Sequence, residues 1–311
     1  MDDLRIHAPD QPGPVTGDHV LYWMQSTFRA RNNQALDFAV EQANRLGLPL
    51  LVYQGLRHDY PWASDRLHTF LLETAADLYQ EFADRRIQYA FYLERNGDDA
   101  AARKEAGKPS PLVELARRAS LVVTDYFPTF IAPRQSRSLR RKVTAPIVAV
   151  DSATIVPIRY HDREHSTAVS FRPRQLAALP RFLMREQSPE PKIQRRVDLP
   201  FDPTIPNGNI PKLAAECDID HSVPPAPAIR DGPRQAGLQL KHFLATGLPR
   251  YAEDRGDPNA GATKWSLTLL ALRQSVAGGG PASGPGGGPS GLLRQVPGRA
   301  ADLAGAGLQL H

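Results

Sequence analysis

The chain of 311 residues contains a single cysteine, Cys217, which excludes an intrachain disulfide and a metal site built from several thiolates. It also lacks any apolar run of the roughly 20 residues that span a bilayer. The N-terminal stretch from Met1 to His7 does not show the charged-then-apolar order of a secretory signal. We therefore expect a cytoplasmic protein with no metal and no membrane, and we interpret Cys217 as an inert thiol.

Charge is nearly balanced, because 38 Lys and Arg face 33 Asp and Glu, for a formal net charge of +5. This excess permits an anionic partner but does not by itself predict nucleic-acid binding. The densest basic cluster comprises Arg134, Arg137, Arg140, Arg141 and Lys142. We interpret it as a solvated helical face, with contact to DNA phosphates as the alternative.

Five short apolar runs alternate with amphipathic segments, which predicts an α/β fold. The predicted strands are 19–24, 49–54, 87–93, 121–125 and 146–150, and the helices between them are 33–46, 65–83, 110–119 and 131–142. Continuous apolar strands must be covered on both faces, so the pattern indicates a doubly wound parallel, Rossmann-like sheet of about five strands. The turn Ser26–Thr27 follows the first strand, where proteins of this fold can bind an anion or a nucleotide. It lacks a glycine fingerprint, which leaves its ligand open.

Composition divides the chain into five parts. We expect a loose N-terminal arm at 1–17, the α/β domain at 18–187, a Pro-rich interdomain linker at 188–234, the first helix of an incomplete all-α domain at 235–263, and a low-complexity tail at 264–311. Eleven of the 23 glycines fall within the last 34 residues. Two histidines, His161 and His165, are four residues apart without the context of a zinc site. Tyr22, Trp23 and Met24 are interpreted as core residues rather than a pigment site.

Several segments, in order, resemble the DNA photolyase and cryptochrome family, and most closely its class II cyclobutane-dimer branch. They are Leu21-Tyr-Trp-Met24 with Arg29-x2-Asn32-Asn-Gln-Ala35-Leu36, Tyr60-x2-Ala63-x2-Arg66-x3-Phe70-Leu-Leu-Glu73, Val123-Thr-Asp125, and Pro146-Ile-x2-Val150-Asp151-x3-Ile155-Val156-Pro157. A further segment, Tyr251-x3-Arg255-x-Asp257-Pro258 running to Thr263, resembles the opening of the family's flavin-binding domain. Asp125 is followed by Tyr126-Phe-Pro, where the family often has an aromatic or basic pair.

This resemblance implies a deoxyribodipyrimidine photo-lyase, a carbon–carbon lyase that uses FAD and light to repair UV-damaged DNA. It implies that Tyr251 contacts the flavin, that Thr263 binds the cofactor's phosphate region, and that Arg255 contacts DNA. It further implies a monomer with an antenna pigment such as a deazaflavin or a folate. No catalytic residue is identified. The alternatives are a non-catalytic Rossmann-like pigment- or nucleotide-binding module and a cryptochrome-like light sensor.

In the family, the motif that begins at the position of Thr263 continues with Ser-Gly-Leu-Ser-Pro-Tyr-Leu-His-Phe-Gly or a close variant. A set of codons can be chosen that encodes this motif from its Ser onward. One extra base in front of these codons shifts the reading frame, and the shifted frame encodes Lys-Trp-Ser-Leu-Thr-Leu-Leu-Ala-Leu-Arg-Gln, the sequence found at 264–274. We therefore interpret 264–311 as a frame-shifted, disordered tail, and the chain as an N-terminal fragment inactive alone. A natural Gly/Pro-rich tail is the alternative.

Overall fold

The structure is a computed structural model that describes residues 2–7, 13–97, 103, 105–183, 188–226, 232–254, 256, 257 and 259. The chain divides into two compact units. Met1–Ser152 and Ser188–Arg234 form the first unit, and Ala153–Gln187 and Gln235–His311 form the second. No described helix combines the length and the apolar character needed to cross a membrane.

A six-stranded sheet forms the centre of the first unit. Its strands are β1 (Ile6–His7), β2 (His19–Trp23), β3 (Leu50–Leu56), β4 (Gln88–Leu93), β5 (Ala119–Asp125) and β6 (Ile147–Val150). They are ordered β1-β6-β5-β2-β3-β4. Strands β2 to β6 pair in parallel, and β1 pairs antiparallel with β6. The chain winds outwards from β2 in both directions, so the predicted doubly wound α/β sheet is confirmed.

Helices of the first unit cover both faces of this sheet. They are α1 (Gln34–Leu46), α2 (Asp65–Asp84), α3 (Pro111–Arg118) and α4 (Ala132–Arg140). Side chains of α1 and α2 share one core with Tyr22, and side chains of α3 and α4 share the other with Trp23. Successive side chains of a strand point to opposite faces, which places these two neighbours in different cores. Tyr22, Trp23 and Met24 are all buried, as predicted.

The ends of α1 are set by its flanking residues. Asn33 precedes the helix in an extended conformation, and its side chain accepts a hydrogen bond from the Leu36 N–H at 3.0 Å. Gly47 follows it with φ of 66°, and its N–H donates to the Ala43 carbonyl. Glycine adopts this left-handed conformation without a steric penalty, so the predicted end of the helix at Leu46 is confirmed.

The strand β1 corrects the expectation of a loose arm over residues 5–7. Ile6 and His7 pair with Val150 and Ala149 at the edge of the sheet. The buried Arg5 side chain donates to the Asp151 carbonyl at 3.0 Å. This strand forms because its backbone pairs with residues more than 140 positions later in the chain. Two residues are too few to show the alternation by which a strand is recognised in sequence.

The Pro-rich stretch 188–226 packs on the first unit rather than leaving it as a linker. The Val197 N–H donates to Gln88 at 2.7 Å, and the Thr204 N–H donates to the Phe91 carbonyl at 2.8 Å. The stretch also contains the helix α6 (Ile210–Ala215), which follows α5 (Ala168–Leu183) in the chain. Apolar side chains from the stretch, Val197 among them, are buried in the two cores, which explains why proline content alone mispredicts a linker.

The second unit is helical in its described part. It contains α5, most of α7 (Pro233–His242), a π-helical turn at Phe243–Gly247, a 3-10 turn at Leu248–Arg250 and α8 (Tyr251–Asp254). A small core of Val156, Ala178 and Leu179 joins α5 to the segment before it. The predicted tail at 264–311 lies outside the described residues, and the assignment of 235–263 to a flavin-binding domain stays a prediction.

Candidate functional site

The carboxyl ends of β2 and β5 lie side by side where the order of strands in the sheet reverses. From β2 the chain leads outwards through β3 and β4, and it then returns to β5 on the other side of β2. In open α/β sheets, ligands bind in the crevice at such a point, outside the carboxyl ends of the strands. Here the crevice is bordered by Asp125, the last residue of β5, and by the loop from Met24 to Asn33.

Asp125 presents its buried carboxylate to three consecutive backbone N–H groups of that loop. Its Oδ2 atom accepts hydrogen bonds from Gln25 at 2.9 Å, Ser26 at 2.8 Å and Thr27 at 3.1 Å. Its Oδ1 atom accepts one from the Tyr22 hydroxyl at 2.8 Å. Convergent backbone N–H groups of this kind form an anion-binding concavity. The anion that they bind in this protein is a side chain of the chain itself.

This arrangement corrects the expectation that the Ser26–Thr27 turn is an anion or nucleotide edge. Its N–H groups already donate to Asp125. A phosphate at the same place would have to displace a buried carboxylate and would be repelled by its charge. The Asp125 carboxylate therefore occupies the position in which a nucleotide phosphate would accept these N–H groups.

A second layer of hydrogen bonds holds the loop in place. The buried Asn33 amide donates to the Tyr22 hydroxyl at 3.0 Å and to the Thr27 carbonyl at 3.3 Å. Ser152 donates to the Asn33 side-chain oxygen at 3.3 Å. Burial, reinforced by the Asp125 carboxylate, raises the pKa of Tyr22 well above its ordinary value, so its hydroxyl remains a donor. These contacts tie the backbone of the loop to β2 and β5, whereas the side-chain oxygens Gln25 Oε1, Ser26 Oγ and Thr27 Oγ1 are buried without a hydrogen-bond partner among the described residues.

A buried carboxylate also ties together the loops after β3 and β4. Glu94 is 1% exposed, and its oxygens lie 3.4 Å from Arg57 Nε, 3.3 Å from His58 Nε2 and 3.6 Å from Arg103 Nη1. The Arg103 guanidinium also lies 5.1 Å from the centre of the Tyr92 ring. A buried charge surrounded by cationic groups is compensated, and removal of one partner would leave it uncompensated. We assign this cluster a structural role.

Two exposed aromatic residues, Trp62 and Phe130, stack on each other at the same edge. Trp62 lies in the loop after β3 and Phe130 in the loop after β5, with ring centroids 6.1 Å apart and planes within 7°. Their exposed fractions are 79% and 52%. Both have positive φ, 65° and 60°, which is unfavourable for bulky side chains. Such conformations persist where the surroundings impose them and often mark functional positions.

Of the site residues that the sequence predicts, Tyr251 lies within the part of the chain that the structure describes. Tyr251 is the first residue of α8 and is buried, with its ring perpendicular to Phe243 at a centroid distance of 5.9 Å. Arg255 and Thr263 lie outside the described residues. The roles of Tyr251 and Thr263 at a flavin and of Arg255 at DNA stay predictions.

The described residues do not by themselves form a FAD site. FAD requires hydrogen-bond donors for two phosphates and side chains that hold the flavin ring. Tyr251 is the described member of the predicted set, and its ring contacts Phe243. One buried aromatic side chain does not meet these requirements.

His161 and His165 pack against an aromatic ring. Their ring centroids are 5.5 Å apart, and they lie 4.9 and 5.6 Å from the Phe171 ring. Burial, and then the charge of His165, lowers the pKa of His161. Over the described ranges, no group of three or more His, Cys, Asp or Glu could hold a metal ion.

Sequence reasoning misses the two most distinctive features of the carboxyl edge. Asp125 is visible as a polar residue at the end of a strand, but nothing shows that its carboxylate turns towards Gln25 and Ser26. Trp62 and Phe130 do not stand out in the sequence. The available signal is weak: each is an aromatic residue beside or near a proline in a loop that follows an apolar strand.

Comparison with known proteins accounts for this architecture. The family model for DNA photolyase matches residues 20–192. A curated deoxyribodipyrimidine photo-lyase of Methanothermobacter thermautotrophicus is 30% identical over 287 residues, which cover 89% of this chain. The chain spans 59% of the length of that relative.

A solved structure shows the same fold at lower identity. A bacterial class III photolyase from Agrobacterium tumefaciens matches with a TM-score of 0.56 and 15% identity, over 85% of this chain and 52% of that one. An archaeal photolyase from Sulfolobus tokodaii, crystallised with two FAD molecules, matches with a TM-score of 0.49 and 14% identity, over 84% and 53%. Since the family model matches more than half of the residues, the chain belongs to the DNA photolyase family.

Proposed function

We propose that this chain is part of a deoxyribodipyrimidine photo-lyase that uses light and FAD to split cyclobutane pyrimidine dimers in DNA. The observation that carries the proposal is its 30% identity over 287 residues with a curated deoxyribodipyrimidine photo-lyase. The class II segments around Tyr60–Glu73 and Asp151–Pro157 support that branch in particular.

Dimer splitting requires an electron from an excited reduced flavin, which no side chain can supply. The described residues would contribute the scaffold. The Asp125 network and the Glu94 cluster hold the loops after β2, β3 and β4 in fixed positions. A rigid carboxyl edge is suited to hold an antenna pigment, such as a deazaflavin or a folate, at a constant position.

The substrate in this proposal is UV-damaged DNA, bound by a monomer. The damaged bases must leave the duplex, at an unstacking cost of a few kcal/mol that the lesion itself lowers. Arg255 would contact a phosphate, which positions DNA without reading its sequence. Tyr251 would contact the flavin, and Thr263 would bind its phosphate region.

The decisive experiment compares two reading frames of the same gene. One protein is the 311-residue chain, and the other is read on after one base is removed before codon 264. Both are irradiated with an oligonucleotide that contains one thymine dimer, and flavin absorbance and dimer loss are measured. We expect the restored frame to retain FAD and to repair in light but not in the dark. We expect the 311-residue chain to retain little flavin and to leave the dimer intact.

A matched variant tests Tyr251 within the restored frame. Tyr251→Ala should lower the FAD content, whereas Tyr160→Ala, at an exposed aromatic position, should leave it unchanged. Flavin binding without light-dependent repair would instead support the cryptochrome-like sensor. A pigment band without flavin in both proteins would support the non-catalytic module.

A further inference from the structure

The stacked pair of Trp62 and Phe130 presents a free aromatic surface to solvent. With 79% of Trp62 exposed, another planar ring can add to the stack. The backbone at both residues holds φ near 60°, which indicates that the loops impose these positions. Large exposed aromatic rings in strained loops are expected to serve binding rather than stability, because burial gains them little.

A row of arginines continues from this pair along α4. Arg134 and Arg137 lie in α4, and Arg141 follows its last residue and keeps a helical backbone conformation. Their spacings of three and four residues place them on one face. All three are exposed, and none forms an ion pair with any carboxylate of the described residues. The row spans roughly 10 Å at about 1.5 Å per residue. Arg140 differs, because it is partly buried and donates to the Ile147 carbonyl.

Two features favour an anionic, ring-containing polymer as the ligand of this surface. The helix α4 carries no acidic residue, so the row has a uniform positive charge. Aromatic stacking beside a cationic track is the arrangement that binds single-stranded nucleic acid without sequence preference. The sequence alone suggests a solvated basic face, and the aromatic pair beside it is the observation that changes this interpretation.

We propose that Trp62, Phe130, Arg134, Arg137 and Arg141 form an aromatic–arginine strip that binds a single DNA strand. One base stacks on Trp62, and the adjacent phosphates contact the three arginines. The strip belongs to the first unit and includes none of the predicted residues Tyr251, Arg255 and Thr263. It rests on the proposed function only in taking DNA as the ligand, since binding requires neither light nor flavin.

The test is dark binding of the full 311-residue chain to a labelled, undamaged oligothymidine of about 12 nucleotides, followed by fluorescence anisotropy. Trp62→Ala should weaken binding about tenfold, and Trp62→Tyr should restore most of it. The triple variant R134Q/R137Q/R141Q should reduce the slope of log Kd against log salt by about 2, since each phosphate that is no longer neutralised accounts for about 0.7.

A matched control removes the same charge elsewhere in the first unit. Lys192, Arg196 and Lys212 are exposed and form no ion pair among the described residues, so K192Q/R196Q/K212Q should leave the slope near its original value. Circular dichroism verifies that each variant is folded. If Trp62→Ala does not fold, the comparison is made with Trp62→Tyr.

The proposal is overturned if the strip variants bind the oligonucleotide as the original chain does. It is also overturned if the control triple weakens binding equally, because net charge would then suffice. If the strip variants reduce flavin retention in the restored frame and leave DNA binding unchanged, the strip contacts protein and the proposal is wrong. Failure of the proposed function gives a different result. The protein would then bind the oligonucleotide in the dark as expected, and the restored frame would not split dimers in light.

Discussion

Tyr22 and Asp125 are 103 residues apart in sequence and joined by a 2.8 Å hydrogen bond between two neighbouring strands. The phenol donates to one carboxylate oxygen, while the other accepts the N–H groups of Gln25, Ser26 and Thr27. Asp125 therefore fixes the first loop of the sheet to β5. In this Rossmann-like edge, which lacks a glycine fingerprint, a carboxylate of the chain itself accepts the backbone N–H groups of the loop.

Asp125→Asn should destabilise the protein by about 3 kcal/mol. The amide has one acceptor oxygen instead of two, and its NH2 group would face backbone N–H groups that also donate. Tyr22→Phe leaves the carboxylate in place and removes one of its donors together with one acceptor of the Asn33 amide, which also donates to the Thr27 carbonyl. It should therefore cost about 1 kcal/mol. Urea denaturation of both variants measures the difference. Equal losses would contradict the dominant role assigned to the carboxylate.

Gly17 lies where the segment before β2 passes along the start of β5, and it leaves no room for a side chain. A Cβ atom there would lie 2.3 Å from the Ser120 nitrogen and 2.7 Å from the Arg118 carbonyl oxygen. Gly17→Ala should therefore destabilise the protein by about 2 kcal/mol through backbone displacement. Gly13→Ala is the control, because its Cβ meets nothing within 4 Å. Similar melting temperatures for the two variants would show that the backbone around Gly17 can shift without loss of stability.

The order of strands and helices could be predicted because burial leaves a direct pattern in sequence. The run from Leu50 to Tyr53 is apolar at every position, as a strand covered on both faces must be. The helix α1 carries its own boundaries in Asn33 and Gly47. These signals are local, so they survive without knowledge of the neighbouring segments.

Features that depend on distant contacts could not be predicted. The two residues of β1 are a strand only because β6 offers an edge. Proline content predicts a linker at 188–234, yet Val197 and Cys217 pack into the cores. The stacking of Trp62 on Phe130 joins loops that flank β2, and no pattern in either loop reveals the other.

His68 should make the protein less stable as the pH falls below neutrality. It is fully buried beside Tyr60, whose hydroxyl oxygen lies 3.2 Å from its Nδ1. Burial, and then the charge of His58, lowers the pKa of His68 from 6.5 to about 4. The unfolded chain therefore takes up the proton first, so the stability contributed by neutral His68 is complete above about pH 6.5 and is lost towards pH 4.

The expected loss from His68 is about 2 kcal/mol between pH 7 and pH 5. Denaturant unfolding at the two pH values measures it, and His68→Gln should remove that share of the pH dependence. His242→Gln, at an exposed helical position, should keep the full dependence. An unchanged pH dependence in His68→Gln would mean that the histidine is accommodated in its charged form.

Cys217 should react with thiol reagents only after the protein unfolds. It is fully buried, and its thiol donates to the carbonyls of Leu213 at 3.4 Å and Glu94 at 3.5 Å. Burial raises the pKa of the thiol to about 11, so about one molecule in a thousand carries the reactive thiolate at pH 8.

Reaction of Cys217 with Ellman's reagent at pH 8 should be at least about 100-fold slower in the native protein than in urea. Cys217→Ala should abolish the signal in both states, because the chain has no other thiol. Prompt reaction of the native protein would show that the segment around α6 opens readily, and that Cys217 is not the inert thiol that the sequence predicts.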